Sequence, residues 1–130
     1  MILSLLIYAS SSASQSQQTA LRFAKNALQQ GHTIHRVFFY GDSVNGLSNL
    51  RVNPRDEIDS TTQWLEFSAS KNIDTVVCIA AAVRRGLLDE SEAKRHHKGI
   101  ANLPQGLHLS GLGQLADAHI HSDRVITFGN

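Results

Sequence analysis

Three residues of this sequence combine reactive side chains with a spacing that could matter: Cys78, Arg84 and Arg85. The chain of 130 residues has one cysteine, and it lies inside the run Ile73 to Arg85, IDTVVCIAAAVRR. The thiolate is the nucleophilic form of cysteine, and a free thiol is only a few per cent ionised near neutrality. Cations or a helix start brought close to the sulfur would raise that fraction. Tuning of Cys78 by Arg84 or Arg85 is therefore one expectation. The other readings of the two arginines are a solvated helix end or the docking of an acidic partner. Cys78 has a structural reading as well, because an unpaired cysteine packs as a small hydrophobe. With no second cysteine there is neither an internal disulfide nor a resolving thiol. A sulfur or acyl group taken up here must leave to a different molecule. Such cysteine usage fits a reducing compartment and predicts a cytoplasmic protein.

Other chemistry is less well supported. The loop containing Ser10, Ser11, Ser12 and Ser14 follows the first strand, where a flavodoxin-like protein would cradle phosphate, but it has no glycine to admit a close approach. A nucleotide or flavin binder stays open on that loop alone. The seven histidines include the neighbours His96 and His97, which diverge on a helix, and the alternating pair His119 and His121. No carboxylate or cysteine is read at ligand spacing with that pair. Structural or solvated histidines are expected, and no metal.

The elements that must position these residues follow from periodicity. Val76 to Val83 is continuously apolar and β-branched in its first half, which predicts a strand from Ile73 to Ala80 buried on both faces in the middle of a parallel sheet. Cys78 then falls near the carboxyl end of that strand, the edge where open α/β sheets collect ligands. Its sulfur is expected beside a concave surface, reachable from solvent. Ile2 to Tyr8 reads as a first strand, since the apolar run is short and lacks the basic start of a leader. Ser14 and Gln17 have capping-box spacing, and the helix they open extends to about Gln30, with Ala20, Ala24, Ala27 and Leu28 inward and Gly31 as its stop. Thr33 to Tyr40 is a second strand, completing a right-handed βαβ unit.

GDSVNGLSN reads as a loop, and Asn53 with Pro54 as the start of a helix whose inward face is Ile58, Thr62, Leu65 and Ala69, with Trp64 and Phe67 alongside. Asp89 and Glu92 should cap a further helix that ends in the basic residues Lys94 to Lys98. Leu107 to Leu109 could form a very short strand, Ser110 the cap of the helix GLGQLADAH, and Arg124 to Phe128 the last strand. The alternation predicts one α/β domain over residues 1–130, with three layers and a mainly parallel sheet flanked by helices on both faces.

Hydrophobic residues make up 42% and charged residues 18%, with a net charge of +1. That composition is globular and argues against nucleic acid or an anionic membrane as a direct partner. No run approaches the length of a membrane span. The small net charge removes a safeguard against association, so a protein partner is expected.

The segments CIAAAVRRGLLDESEA, LHLSGLGQLADA and SDRVITF, together with QQGH and VFFYGDSV, resemble the DsrE-like sulfurtransferase family over nearly the whole chain. The resemblance implies a cysteine that carries sulfur as a persulfide, which is Cys78 here, with no metal, flavin or nucleotide cofactor. It also implies partners: TusB- and TusC-like paralogous subunits in a heterotrimer that doubles to a hexamer, a TusA-like sulfur donor and a TusE-like acceptor. The sulfur would go towards 2-thiolation of the wobble uridine of tRNA. A DsrE-type branch works in sulfur oxidation with a similar architecture, and the motifs do not separate the two. The resemblance assigns no role to Arg84 or Arg85. A non-catalytic assembly subunit, with Cys78 merely packed, is the alternative.

Overall fold

The protein is described by a computed structural model covering residues 1–10 and 15–129. Its strands are β1 (Ile2–Ile7), β2 (Thr33–Phe39), β3 (Asp74–Cys78), β4 (His108–Ser110) and β5 (Arg124–Phe128). The helices are α1 (Ser16–Gln29), α2 (Ser60–Lys71), α3 (Ile79–Arg84), α4 (Glu90–Arg95) and α5 (Gly113–His121), and a 3-10 segment covers Gly41–Leu47. All strand pairs are parallel, in the order β4-β3-β2-β1-β5. The chain steps from β1 to β4 in one direction and then returns to the far edge for β5. Right-handed crossovers accordingly put α1 and α2 on one face and α5 on the other, which is the α/β arrangement expected.

The core follows from which faces are apolar. Leu5, Ile7, Val37, Phe39 and Val77 are buried on one face of the three inner strands, under Ala20, Leu21 and Ala24 of α1 and Trp64 and Phe67 of α2, while Leu6, Phe38 and Val76 are buried on the other. Helix α1 turns its alanine face inward as expected and stops at Gly31, whose φ of +87° continues the turn into β2. The amide of His32 there donates to the carbonyl of Ala27. Gln17 is buried, and its Nε2 donates to the carbonyl of Ala9. Ser11, Ser12 and Ser14 lie outside the described residues, and with them the expected capping box and most of the serine loop.

Four boundaries differ from the sequence reading, each for a local reason. GDSVNGLSN is not irregular: Gly41–Leu47 winds into a 3-10 helix that buries Val44 and Leu47. Helix α2 starts at Ser60, not at Pro54, because Asp59 is the cap, accepting from the amides of Thr61 and Thr62. Its inward residues are then Thr61, Trp64, Phe67 and Ser68, while Ile58, Thr62 and Ala69 are exposed. The large aromatic rings outweigh the β-branched and small residues in choosing the face. Strand β3 ends two residues early, at Cys78. Ser110 belongs to β4, and α5 begins at Gly113 with Leu112 in the capping position. Asp89 does cap α4, accepting from the amide of Glu92, and Lys94 and Arg95 close its last turn.

Candidate functional site

Cys78 is the last residue of β3 and the residue immediately before α3. The strand is interior to the sheet, with β2 on one side and β4 on the other, and β2 rather than β3 occupies the middle. Cys78 pairs in register with Ser110 of β4. It therefore stands at the carboxyl edge of the sheet, as its sequence position predicts. Its exposure does not match: Cys78 is only 1% accessible and belongs to the hydrophobic core cluster. The reason lies in the missing two residues of strand. Because helix begins at Ile79, the first turn of α3 folds over the strand end, and Ala81 and Ala82 pack into the core. A groove of about 620 Å³ does exist, but between α1 and α2, lined by Leu28, Phe67 and Lys71, not beside the thiol.

The cover over Cys78 is held from its edges. Arg85 directs its guanidinium to Asp42 Oδ1 of the 3-10 segment at 3.1 and 3.2 Å and to the carbonyl of Ala81 at 3.2 Å. Arg84 ends α3 on its exposed side. Six helical residues rise about 9 Å, so the arginines stand at the end of α3 away from the thiol. The geometry couples Arg85 to the seat of α3 in place of direct contact with the sulfur. Asn102 is the other fastening. It is buried, its Oδ1 accepts from the amide of Leu88, and its Nδ2 donates to the carbonyl of Gly86 and to Ser48 Oγ. A buried asparagine with every polar atom paired joins the exit of α3 to the exit of the 3-10 segment. Nothing in local periodicity signals such a residue.

A polar cluster occupies the opposite, amino-terminal edge of the sheet. Leu3 pairs with Ile34 and Ser4 with Arg36, leaving His35 as an extra residue in β2. Such a bulge re-aims side chains, and here consecutive residues His35 and Arg36 both reach Asp117 of α5, at 3.1 and 2.7 Å. Arg36 is buried and also binds Asp74 at 2.7 Å and the carbonyl of Gln114. His121 Nδ1 lies 2.8 Å from the other oxygen of Asp117. The expectation that no carboxylate stands at ligand spacing with His121 is thus overturned, since Asp117 is one helical turn earlier. The His35 hydrogen bond holds the Asp117 carboxyl below the usual carboxylate range. Burial opposes that shift, while Arg36 and the charge of His121 reinforce it.

A five-stranded parallel α/β sheet with a lone cysteine at a strand-to-helix junction defines the class. The family model for DsrE/DsrF-like proteins matches residues 1–128, and the chain belongs to that family. Among its relatives, a sulfurtransferase TusD homolog of Pseudomonas aeruginosa is 46% identical over 116 residues, covering 89% of this chain and 88% of that one. A protein of Allochromatium vinosum named for the sulfurtransferase DsrE is 45% identical over 116 residues, 89% of each chain. The ychN protein of E. coli, a solved structure, superposes with a TM-score of 0.74 over 98% of this chain and 99% of that one, at 22% identity, and shows the shared fold. The relatives' names support sulfurtransferase activity. Among the described residues no helix is long and apolar enough to cross a membrane.

Proposed function

We propose that this protein carries sulfur as a persulfide on Cys78 within a cytoplasmic relay. The supporting observation is the placement of the chain's one thiol at the carboxyl edge of the sheet, where β3 passes into α3. The Cys78 thiolate attacks the outer sulfur of the donor's persulfide. A Cys78–S–SH bond forms, the donor's S–S bond breaks, and the donor leaves as a thiolate. The acceptor's thiolate then attacks the same outer sulfur and releases Cys78 as thiolate. No electrons are gained or lost overall, and the lack of a second cysteine keeps the outer sulfur from collapsing into an internal disulfide.

In this reading the donor is TusA-like, the acceptor TusE-like, and the destination 2-thiolation of tRNA wobble uridine, with TusB- and TusC-like subunits completing a hetero-oligomer. The DsrE-named relative at 45% identity favours a second reading, the same carrier chemistry in dissimilatory sulfur oxidation. The assembly should bury roughly 800 Å² per side, the usual scale of a specific interface. Light scattering that finds only monomer with the paralogous subunits supplied would count against it.

The decisive experiment incubates the chain with a persulfidated TusA-like carrier and weighs it intact. One added sulfur atom per chain is expected, absent in Cys78→Ser. A wild-type chain that gains nothing even when assembled with the paralogous subunits would replace the carrier reading with an assembly role. Arg85 enters through the seat of α3, so Arg85→Ala should change the rate of uptake and leave its final extent alone.

A further inference from the structure

The amino-terminal edge of the sheet carries a second constellation that sulfur transfer does not use. We propose that His35, Asp117 and His121 bind a first-row transition-metal dication, of which zinc fits the donor set best. One ligand atom from each residue lies within 4.8 Å of the other two. His35 Nε2 is 3.1 Å and His121 Nδ1 2.8 Å from oxygens of Asp117. Zinc bonds of about 2.0–2.2 Å to nitrogen and oxygen, arranged tetrahedrally, separate neighbouring ligands by roughly 3.3–3.5 Å. Small side-chain movements bring the three atoms to that spacing. His121 has room to make them, since its side chain is 58% exposed.

Three features distinguish this group from an ordinary ion pair. First, the bulge at His35 puts two consecutive strand residues onto one carboxylate, which a regular strand cannot do. Second, the surrounding contacts have the form of a metal site's outer layer. Arg36 holds Asp117 Oδ2, and Asp74 in turn compensates Arg36; hydrogen-bonded ligating carboxylates are the rule in such sites. With neutral imidazoles, the charges of Arg36, Asp74 and Asp117 leave one net negative charge for a dication to meet. Third, the partial exposure of all three side chains leaves room for a water as fourth ligand. Two imidazoles and one carboxylate select borderline cations such as zinc over magnesium or calcium, which prefer all-oxygen shells.

Bound there, the ion would clip β2 to α5, joining residues 82 positions apart in the sequence. It would stabilise the folded chain by an amount that grows with the logarithm of free zinc once this exceeds the dissociation constant. The Arg36 guanidinium lies close to the same carboxylate and weakens the site, which makes it exchangeable.

The test is calorimetric titration of zinc chloride into the chelator-treated full chain at neutral pH, in Cys78→Ser to remove the thiol as a competing ligand. One zinc per chain is expected, with no binding of magnesium, and affinity lowered at least about tenfold in His121→Gln and in His35→Gln. A double variant of the exposed neighbours, His96→Gln with His97→Gln, should bind as the parent does. Cobalt added to the same proteins should give the visible absorption of a tetrahedral site, lost in His121→Gln. Because the His121 side chain is largely exposed, its replacement removes a ligand without disturbing the core. Zinc binding that survives His121→Gln unchanged, binding that disappears with His96 and His97, or no binding at millimolar zinc would each overturn the proposal.

Discussion

Alkylation of Cys78 in the native, isolated chain should run at least about a hundredfold slower than in the same chain unfolded in denaturant. The sulfur-bearing residue is 1% accessible, so a reagent must wait for α3 to lift from the strand end. When closing is faster than reaction, the rate falls by the population of the open form, and a hundredfold corresponds to an opening that costs roughly 2.8 kcal/mol. Helix α3 has six residues, too short to be stable by itself, so the cost resides in Ala81, Ala82 and the two fastenings. The Arg85–Asp42 pair is the weaker one, since the Asp42 side chain is 67% exposed. Removing such a pair costs at most about 1 kcal/mol, so Arg85→Ala should speed alkylation by no more than about fivefold. Asn102→Ala, which strands the buried Leu88 amide, should act more strongly. A native rate close to that of the unfolded chain would show that the thiol is open after all.

That protection bears on the proposed relay. An enclosed thiol is shielded from stray oxidants, but it accepts sulfur only when its cover moves. Under the relay reading, docking of the donor or of the paralogous subunits must supply the opening. Alkylation in the assembled complex should then exceed the rate in the isolated chain. If neither assembly nor docking of the donor carrier makes Cys78 less protected than before, the carrier role has no physical route, and the packed-cysteine alternative gains.

The position of Cys78 along the chain is legible because an apolar, β-branched run followed by alanines changes character at one place. Its burial is not legible. Whether the run ends at residue 78 or 80 decides whether the sulfur faces a crevice or a helix, and alanines and valines tolerate both. Strands β1, β2 and β5 announce themselves by composition alone. The start of α2 does not, because Asn53-Pro54 and Asp59 are both plausible caps and the choice falls to Trp64, whose burial is a tertiary event. The cluster at His35, Asp117 and His121 is hidden for a related reason. Its strand member is aimed by a bulge that only pairing with β1 creates. Its helical pair escapes a comparison of His121 with His119, because the carboxylate that matters stands one full turn before.

Trp64→Ala should be the most costly single truncation in the core. Trp64 is 1% exposed and is the one tryptophan of the chain. It meets Phe39 of β2 edge-on at 5.8 Å and Phe67 of α2 at 6.1 Å, so it fixes α2 against the middle of the sheet. Removing a buried Trp side chain costs about 3–5 kcal/mol through lost transfer energy and the cavity left behind, and edge-on aromatic pairs add to the loss. Trp64→Phe makes the informative comparison. The indole Nε1 is buried with no hydrogen-bond partner among the described residues, so phenylalanine gives up volume without breaking a bond and sheds an unsatisfied donor. It should cost less than half as much as alanine. Urea unfolding followed by far-ultraviolet circular dichroism reads both, since the variants lack the tryptophan needed for fluorescence. A loss below about 1 kcal/mol in Trp64→Ala would mean that α2 does not depend on this ring. Equal losses in the two variants would mean that a phenylalanine ring cannot replace any of what the full indole does to seat the helix.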